Sequence, residues 1–293
     1  MRQIFYRSLV LSAIALLGVS GCTSDRPTAP SKNNQIQSQQ APLKIAGSSG
    51  AADSLKILKS GYETSTPGVQ LTLLDSMQSE NVITGVKQGL VDLGCISRTL
   101  KPEEADSTIE FRAIAQDALL VATHSSVTGV KNLSTDDLKA IYSGSATNWK
   151  QFGGPDADIV LLDRPEDESA KRLLRKHYLG DDLSKAPTAV VLRKESELVQ
   201  MLQSTPNSIG AFSLANAVHN KLGVNRLSLN QIEPTTEHLK SGQYPMARTI
   251  GVLWRKNSSA ETMASYITSD VAGKVLEQAG FAVTPNVATS IAK

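Results

Sequence analysis

Three short apolar segments in the first third of the chain alternate with two segments of helical periodicity. The apolar segments are residues 43–47, 69–74 and 91–96. Between them, apolar residues recur every three or four positions in 51–62 and again in 82–90, which is the spacing of one face of an α-helix. Strands that alternate with helices predict a parallel sheet with right-handed crossovers, and therefore an α/β fold.

The same alternation continues through the rest of the chain. Ser134, with Asp137 three residues later, predicts a capping box at the start of a helix. The stretch 220–242 is polar and has no clear period. Further strands are predicted at 118–123, 159–162, 189–192, 209–213 and 249–254, and two helices at 259–268 and 271–279.

The turn after the first predicted strand, Gly47-Ser48-Ser49-Gly50, is suited to an anion. Small residues let the backbone approach a ligand, and the first N–H groups of the following helix have no partner inside it. In open parallel sheets, ligands bind beyond the carboxyl ends of the strands, where Ser79 and Ser97-Arg98 are also predicted to lie. Serine at a helix start is equally an ordinary N-cap, so a purely structural interpretation stays open.

The N-terminus has the pattern of a targeting segment. Arg2 and Arg7 flank its start, and the apolar run 9–19 is shorter than the about 20 residues of a membrane-spanning helix. Val19-Ser20-Gly21-Cys22 resembles a bacterial lipoprotein signal, which implies a signal peptide at 1–21 and lipid on Cys22. An ordinary secretory peptide with a chance cysteine is the alternative.

Residues 22–42 are mostly polar and predict a disordered tether behind the lipidated cysteine. A flexible segment of this length has a root-mean-square span on the order of 25 Å. The chain carries a formal charge of +2, which is the charge of Arg2 and Arg7. The mature chain is therefore near neutral and has no basic stripe, which argues against nucleic acid as a partner.

Cysteine and histidine give no sign of catalysis or of a cofactor. Cys95 lies in an apolar run and predicts a buried structural thiol. The four histidines are scattered, and no Cys/His spacing predicts a metal site. We find no Gly-x-Ser-x-Gly elbow and no convincing His–Ser–acid set. The sequence therefore favours a binding protein over an enzyme such as a phosphatase, and no cofactor is expected.

Five segments together carry a family resemblance. In chain order they are 91–98 (VDLGCISR), 130–134 (VKNLS), 142–157 (YSGSATNWK with GGPDA), 208–214 (SIGAFSL) and 242–248 (GQYPMAR). Their shared order and spacing resemble the phosphate-binding proteins of bacterial high-affinity phosphate ABC transporters, and the resemblance runs from about Leu43 to Pro285.

The resemblance implies a type II periplasmic binding protein, in which two α/β lobes are joined by two crossing strands around a ligand cleft. One lobe would hold 43–117 plus 246–293 and the other 118–245, with crossings near 116–119 and 247–250. It further implies a monomeric, lipid-anchored receptor at the cell envelope, with its folded part in the periplasm or outside the cytoplasmic membrane. Such a receptor passes inorganic phosphate to ABC permease subunits without chemistry on the ligand.

The family holds phosphate with backbone N–H groups, hydroxyls and one arginine. The 47–50 turn matches the first site loop, and counting back from Asp92 places Ser79 on the second-loop serine. Arg164 matches the site arginine, whose planar fork suits a phosphate. The resemblance thus implies these phosphate-binding residues: Ser48, Ser49, Gly50, Ser79, Arg98, Arg164, Ser169, Ala170 and Lys171.

The chain departs from the family pattern at several of these positions. Gln78-Ser79-Glu80 replaces Gly-Ser-Gly, Arg98 stands where some members have aspartate, and Lys171 replaces threonine. Glu168 replaces a glycine; its carboxylate either faces the anion, at a cost of about 1–4 kcal/mol, or points outward and favours the helix N-terminus. Lys171 would partly offset an inward Glu168.

Two alternative interpretations stay open. One is a binding or sensing lipoprotein of the same fold whose phosphate binding is altered or lost, which the acidic residues Glu80 and Glu168 motivate. The other concerns Arg164 alone, which would pair with Asp163, Glu166 or Glu168 in a surface cluster and touch no ligand.

Overall fold

Strands and helices alternate along the chain as the sequence predicts. The computed structural model describes residues 41–284; the predicted signal peptide, Cys22 and nearly all of the predicted tether lie outside the described residues. The strands are β1 Leu43–Gly47, β2 Leu71–Leu73, β3 Leu93–Ile96, β4 Ile109–His124, β5 Asn132–Leu133, β6 Val160–Asp163, β7 Val190–Val191, β8 Ser208–Ser213, β9 Val224–Leu229, β10 Ala247–Arg255 and β11 Ala282–Val283.

The helices connect these strands and cover both faces of the sheet. They are α1 Ala52–Ser65, α2 Ser79–Lys87, α3 Thr135–Ser143, α4 Ser169–Leu174, α5 Glu195–Ser204, α6 Leu214–His219, α7 Thr236–Lys240, α8 Glu261–Ile267 and α9 Asp270–Gln278. A 3₁₀ turn at Ser49–Ala51 leads into α1, and a π-helical turn at Arg175–Leu179 follows α4. Within the described part of the chain, every helix is too short or too polar to cross a bilayer.

The strands form one sheet in the order β2-β1-β3-β10-β4-β8-β6-β7. β1 lies between β2 and β3 and is parallel to both, which confirms the predicted strand–helix–strand arrangement. β4 and β10 run antiparallel to each other. From Leu119 onward β4 pairs instead with β8, so a single long strand belongs to two parts of the sheet.

Three hydrophobic clusters surround the sheet. Around β1 and β3, helices α1, α8 and α9 pack on one face, and α2 packs on the opposite face. A larger cluster gathers the second half of β4, strands β6, β8 and β9, and helices α3, α4 and α5. We call these two parts of the structure the β1–β3 region and the β6–β8 region. The clusters hold the carboxyl ends of β1, β3 and β6 in fixed positions.

Two segments differ from the prediction. The strand predicted at 118–123 is the second half of β4, which begins nine residues earlier at Ile109; Arg112, Gln116 and Asp117 interrupt the apolar pattern of the first half. The stretch 220–242, which has no clear period, contains β9 and α7. β9 and α7 are stabilised by pairing and packing with segments distant in sequence. Such contacts leave no periodic pattern in the local sequence.

Local sequence explains how one helix begins and ends. Ser134 Oγ accepts the N–H of Asp137 at 3.1 Å, and Asp137 Oδ2 accepts the N–H of Ser134 at 2.8 Å. These two bonds confirm the predicted capping box of α3. The helix ends at Gly144, whose φ of 80° is the left-handed conformation that favours glycine.

Candidate functional site

The carboxyl ends of β1, β3 and β6 meet at one place, and short polar side chains follow each of them. Ser48 Oγ lies 3.2 Å from Ser97 Oγ and also accepts the N–H of Ser97 at 3.1 Å. Ser97 Oγ lies 3.4 Å from Ser169 Oγ. Ser49 Oγ accepts a hydrogen bond from Arg164 Nη2 at 3.0 Å. Ser97 thus links Ser48 to Ser169, and a separate hydrogen bond joins Ser49 to Arg164.

Arg164 is the buried cation of this group. It is 3 % exposed, and its Nη2 donates to Ser49 Oγ and lies 2.9 Å from Glu168 Oε2. Within residues 41–284, its Nε and Nη1 have no hydrogen-bond partner. An unsatisfied buried donor costs about 1–3 kcal/mol, and more when the group is charged. These two nitrogens therefore point to an acceptor that is not part of the described chain.

Glu168 faces into the site. It is 5 % exposed; its Oε2 pairs with Arg164, and its Oε1 accepts from Gln78 Nε2 at 2.9 Å. It is the N-cap residue of α4 but makes no side-chain cap bond. Of the two orientations considered from the sequence, the outward one is wrong. Arg164 does pair with Glu168, but in the interior and not in a surface cluster.

The remaining predicted residues at these loop ends are buried. Ser79 is the first residue of α2, and Ser169 and Ala170 are the first two of α4. The N–H groups of Ser48 and Ser49 donate to backbone carbonyls of neighbouring segments, at 2.8 and 3.1 Å. The donors these two serines offer to a ligand are therefore their hydroxyls and not their amides.

Arg98 and Lys171 have partners outside this group. Arg98 binds both carboxylate oxygens of Glu104 at 2.6 Å and Glu80 at 2.9 Å. Lys171 Nζ is 2.6 Å from Asp163 Oδ2. Each cation is already neutralised by a carboxylate, so the structure does not bring Arg98 or Lys171 to the serines. Lys171 offsets Asp163 and not, as expected, Glu168.

A second buried arginine lies behind the 47–50 turn. Arg248 donates to Asp117 Oδ2 through Nε and Nη2 at 3.0 and 2.8 Å, and to both oxygens of Glu195 at 2.7 and 3.0 Å. The backbone N–H of Glu195 donates to Ser49 Oγ at 3.0 Å. A Cβ on Gly50 would lie 2.6 Å from Arg248 Nη1. The cluster therefore packs directly against the 47–50 turn.

Burial and mutual attraction both act on this cluster. Burial alone lowers the pKa of the Arg248 guanidinium, but Glu195 and Asp117 raise it above its usual value. Burial, together with the negative charge of Glu195, raises the pKa of Asp117 despite the opposing effect of Arg248. Two carboxylates thus share one permanently charged guanidinium.

The buried charge of the whole site is slightly negative. Two guanidinium groups, Arg164 and Arg248, face three carboxylates, Asp117, Glu168 and Glu195, all of which are buried. In their ordinary ionised forms these five groups carry a formal charge of −1. Removing Glu168 from this count would leave the site neutral.

Sequence reasoning missed Gln78 and the Arg248 cluster as parts of the site, and the family resemblance did not include Ser97. Ser97 follows the carboxyl end of β3, where the strand-end rule had already placed it together with Arg98. Asp117 and Glu195 are 131 and 53 positions away from Arg248. No spacing in a single sequence connects residues that far apart.

The fold and this group of donors define a ligand-binding protein of the type II periplasmic class, in which a sheet shared through long strands places polar loops around one site. The chain belongs to the PBP superfamily domain family, which matches residues 28–271. This finding and the similarities below confirm the resemblance read from the sequence motifs.

Similar proteins include the phosphate-binding protein PstS of Borreliella burgdorferi, 25 % identical over 85 % of this chain and 92 % of that protein. The phosphate-binding protein PstS of Bacillus subtilis is 22 % identical over 81 % of this chain and 79 % of that protein. A solved structure with bound phosphate, of a protein assigned as a phosphate ABC transporter substrate-binding protein from Clostridium perfringens, superposes with a TM-score of 0.73. It is 22 % identical and covers 83 % of this chain and 99 % of its own, which supports the fold.

Proposed function

We propose that this protein is a solute-binding protein that captures inorganic phosphate and delivers it to an ABC transporter. The observation that carries the proposal is Arg164, a buried guanidinium with two nitrogens that have no hydrogen-bond partner in the described chain. A planar fork of donors matches the oxygens of a phosphate. The names of the similar proteins from B. burgdorferi and B. subtilis support phosphate as the anion.

The chemistry of the site suits an oxyanion held without its water shell. The hydroxyls belong to two hydrogen-bonded sets: Ser48, Ser97 and Ser169 form one, and Ser49 with Arg164 forms the other. Each hydroxyl both donates and accepts, so it can exchange its present partner for an anionic oxygen. The proposed site comprises Arg164, these serines, the N–H of Gly50, and Ser79 and Ala170 at the starts of α2 and α4.

The proposal includes a cleft between two lobes, 43–117 plus 246–293 and 118–245. The change of partner of β4, from β10 up to Ala118 to β8 from Leu119, supports a crossing there. Hydrogen bonds between Arg164 and Ser49 and between Glu168 and Gln78 connect the β1–β3 and β6–β8 regions directly. Lobes joined in this way close around a ligand by a hinge motion.

The cellular setting is part of the same proposal. We place the protein outside the cytoplasmic membrane as a monomer, held by lipid on Cys22 and handing phosphate to permease subunits without catalysis. A Cys22→Ser variant tests the anchor: it should move from the membrane fraction to the soluble fraction of cells. Retention of the variant in the membrane fraction would contradict lipid on Cys22.

Calorimetry tests the ligand. The purified protein is titrated with phosphate, arsenate and sulfate, and its thermal unfolding is followed with each anion. We expect heat of binding and a raised unfolding temperature with phosphate, because a ligand that binds only the folded state stabilises it. Absence of both signals with all three anions would overturn the proposal.

The similarities favour this function over a divergent receptor that has lost phosphate. The matched relatives share most of their length with this chain. The inward carboxylate of Glu168 is the feature that such a divergent receptor would need.

A further inference from the structure

We propose that Glu168 is an intramolecular competitor of the anionic ligand. Its carboxylate pairs with Nη2 of the guanidinium that an oxyanion would bind, so a dianion has to displace it to use the full charge of Arg164. The inference rests on the proposed function, since it concerns the regulation of the same anion site. It is carried by the position of one side chain and by the partners that surround it.

The carboxylate of Glu168 has the contacts of a bound anion. One oxygen is 2.9 Å from a guanidinium nitrogen of Arg164, and the other accepts from the amide of Gln78 at 2.9 Å. The side chains of Arg164 and Glu168 are 2 % and 6 % exposed. A cation and an amide that converge on two oxygens in the interior are the kind of pair that recognises an oxyanion.

Within residues 41–284, the two other cations implied as site residues, Lys171 and Arg98, are paired with carboxylates of their own. Lys171 is bound to Asp163 at 2.6 Å, and Arg98 is held by Glu104 and Glu80. A carboxylate and a dianion would therefore share the charge of Arg164. Like charges in a buried site disfavour each other strongly, so the two anions exclude each other.

The contact with Gln78 gives this competition a second consequence. Gln78 precedes α2 in the β1–β3 region, and Glu168 follows β6 in the β6–β8 region. Glu168 thus joins the two sides of the site through its own carboxylate. The apparent affinity for a ligand is then the intrinsic affinity multiplied by the fraction of molecules in which the site is free of Glu168.

The test compares the phosphate affinity of the unmodified protein with Glu168→Gln and Glu168→Gly. Glu168→Gln keeps the shape and removes the charge, and Glu168→Gly removes the side chain. The matched control is Asp167→Asn, the adjacent residue, whose side chain is 58 % exposed and lies 3.4 Å from Arg193. It makes the same change of net charge without touching Arg164.

We expect calorimetry to give a dissociation constant for phosphate about ten- to a hundredfold lower in both Glu168 variants, and changed by less than about twofold in Asp167→Asn. In thermal unfolding without phosphate, Glu168→Gln should unfold at a lower temperature than the unmodified protein, because Arg164 loses its counterion. With phosphate its stabilisation should be larger. Nonspecific loss of structure would not produce these two opposite changes together.

The outcomes separate the two proposals. Binding by the unmodified protein with equal or weaker binding by Glu168→Gln overturns the competitor role and leaves the phosphate receptor standing. Binding by the variants alone supports the competitor role and overturns phosphate capture by the unmodified chain. Absence of binding by the unmodified protein and both variants, with phosphate, sulfate and arsenate, overturns both.

Discussion

Glu195 holds Arg248 through both of its carboxylate oxygens, at 2.7 and 3.0 Å. The same residue donates its backbone N–H to Ser49 Oγ at 3.0 Å. One residue at the start of α5 therefore connects a strand of the sheet interior to the turn that begins the proposed anion site. Because Asp117 binds the same guanidinium from β4, the position of the turn depends on the charge cluster behind it.

The first prediction concerns the removal of the cation from this cluster. Arg248→Met should destabilise the protein by about 3–5 kcal/mol, because it leaves two buried carboxylates next to each other without a counterion. Urea unfolding measures the change. The control is Arg112→Met on β4, whose partly exposed pair with Glu110 is worth about 0–1 kcal/mol. Equal effects of the two substitutions would contradict the importance of the cluster.

The second prediction concerns the guanidinium of the site. Arg164→Lys should weaken phosphate binding by about tenfold or more, because an ammonium lacks the planar set of donors of the guanidinium, of which Nε and Nη1 have no partner in the described chain. Calorimetry measures the dissociation constant. Arg172→Lys, an exposed arginine on α4, is the control and should bind as the unmodified protein does. Phosphate affinity that survives Arg164→Lys unchanged would remove Arg164 from the site.

Much of the site could be predicted because strand ends are a local property. The apolar segments and the turn residues that follow them are adjacent in sequence, and parallel strands bring their carboxyl ends to the same edge. This rule predicts Ser48 and Ser49, whereas Arg164 and Ser169 come from the family resemblance. In the structure Arg164 donates to Ser49, and Ser97 links Ser48 to Ser169.

The direction of charged side chains could not be predicted in the same way. Glu168 and Lys171 are close in sequence, yet the first faces Arg164 and the second faces Asp163. The direction of each side chain depends on which partners are buried nearby. Gln78, the other partner of Glu168, is 90 positions away in the sequence. A single sequence specifies the kinds of charge around a site but not how they pair.

The third prediction concerns the thiol of Cys95. Burial raises its pKa to about 12, against a smaller opposing effect of its contact with Ser54. The thiolate is the reactive form, so at pH 8 a disulfide reagent should not modify Cys95 in the folded protein and should modify it fully in urea. A Cys22→Ser variant isolates this thiol, because the chain has two cysteines. Rapid modification without denaturant would contradict the burial of the thiol.

The fourth prediction concerns the pH dependence of the Arg98–Glu104 pair. The hydrogen bonds from Arg98, above all, hold the pKa of Glu104 below its usual value. A carboxyl whose pKa is lowered by folding stabilises the protein above its unfolded-state pKa of about 4.3, and the gain is lost as the pH falls through the lower folded value. Glu104→Gln should therefore cost about 1 kcal/mol at pH 7 and progressively less below pH 4.

Urea unfolding of this variant at several pH values measures that difference. Glu103→Gln, the exposed neighbour, is the control and should change the stability by less than about 0.5 kcal/mol. A destabilisation by Glu104→Gln that stays constant down to pH 2 would show that the effect does not come from the ion pair.

The fifth prediction returns to the turn that rests on Arg248. A Cβ on Gly50 would lie 2.6 Å from Arg248 Nη1 and 2.9 Å from Ser97 Oγ. The guanidinium cannot move away from the added Cβ, because Asp117 and Glu195 bind all three of its nitrogens. Gly50→Ala must therefore displace the turn itself, at a cost of about 1–3 kcal/mol in stability.

The displaced turn would carry Ser49 away from Arg164, so phosphate affinity should fall together with stability. Gly223→Ala is the matched control, since a Cβ there would meet no atom within 4 Å and the substitution should leave affinity unchanged and stability equal or slightly higher. Urea unfolding and calorimetry on both variants give the two quantities. If Gly50→Ala bound phosphate and unfolded as Gly223→Ala does, the close contact between the turn and the Arg248 cluster would have no role in the site.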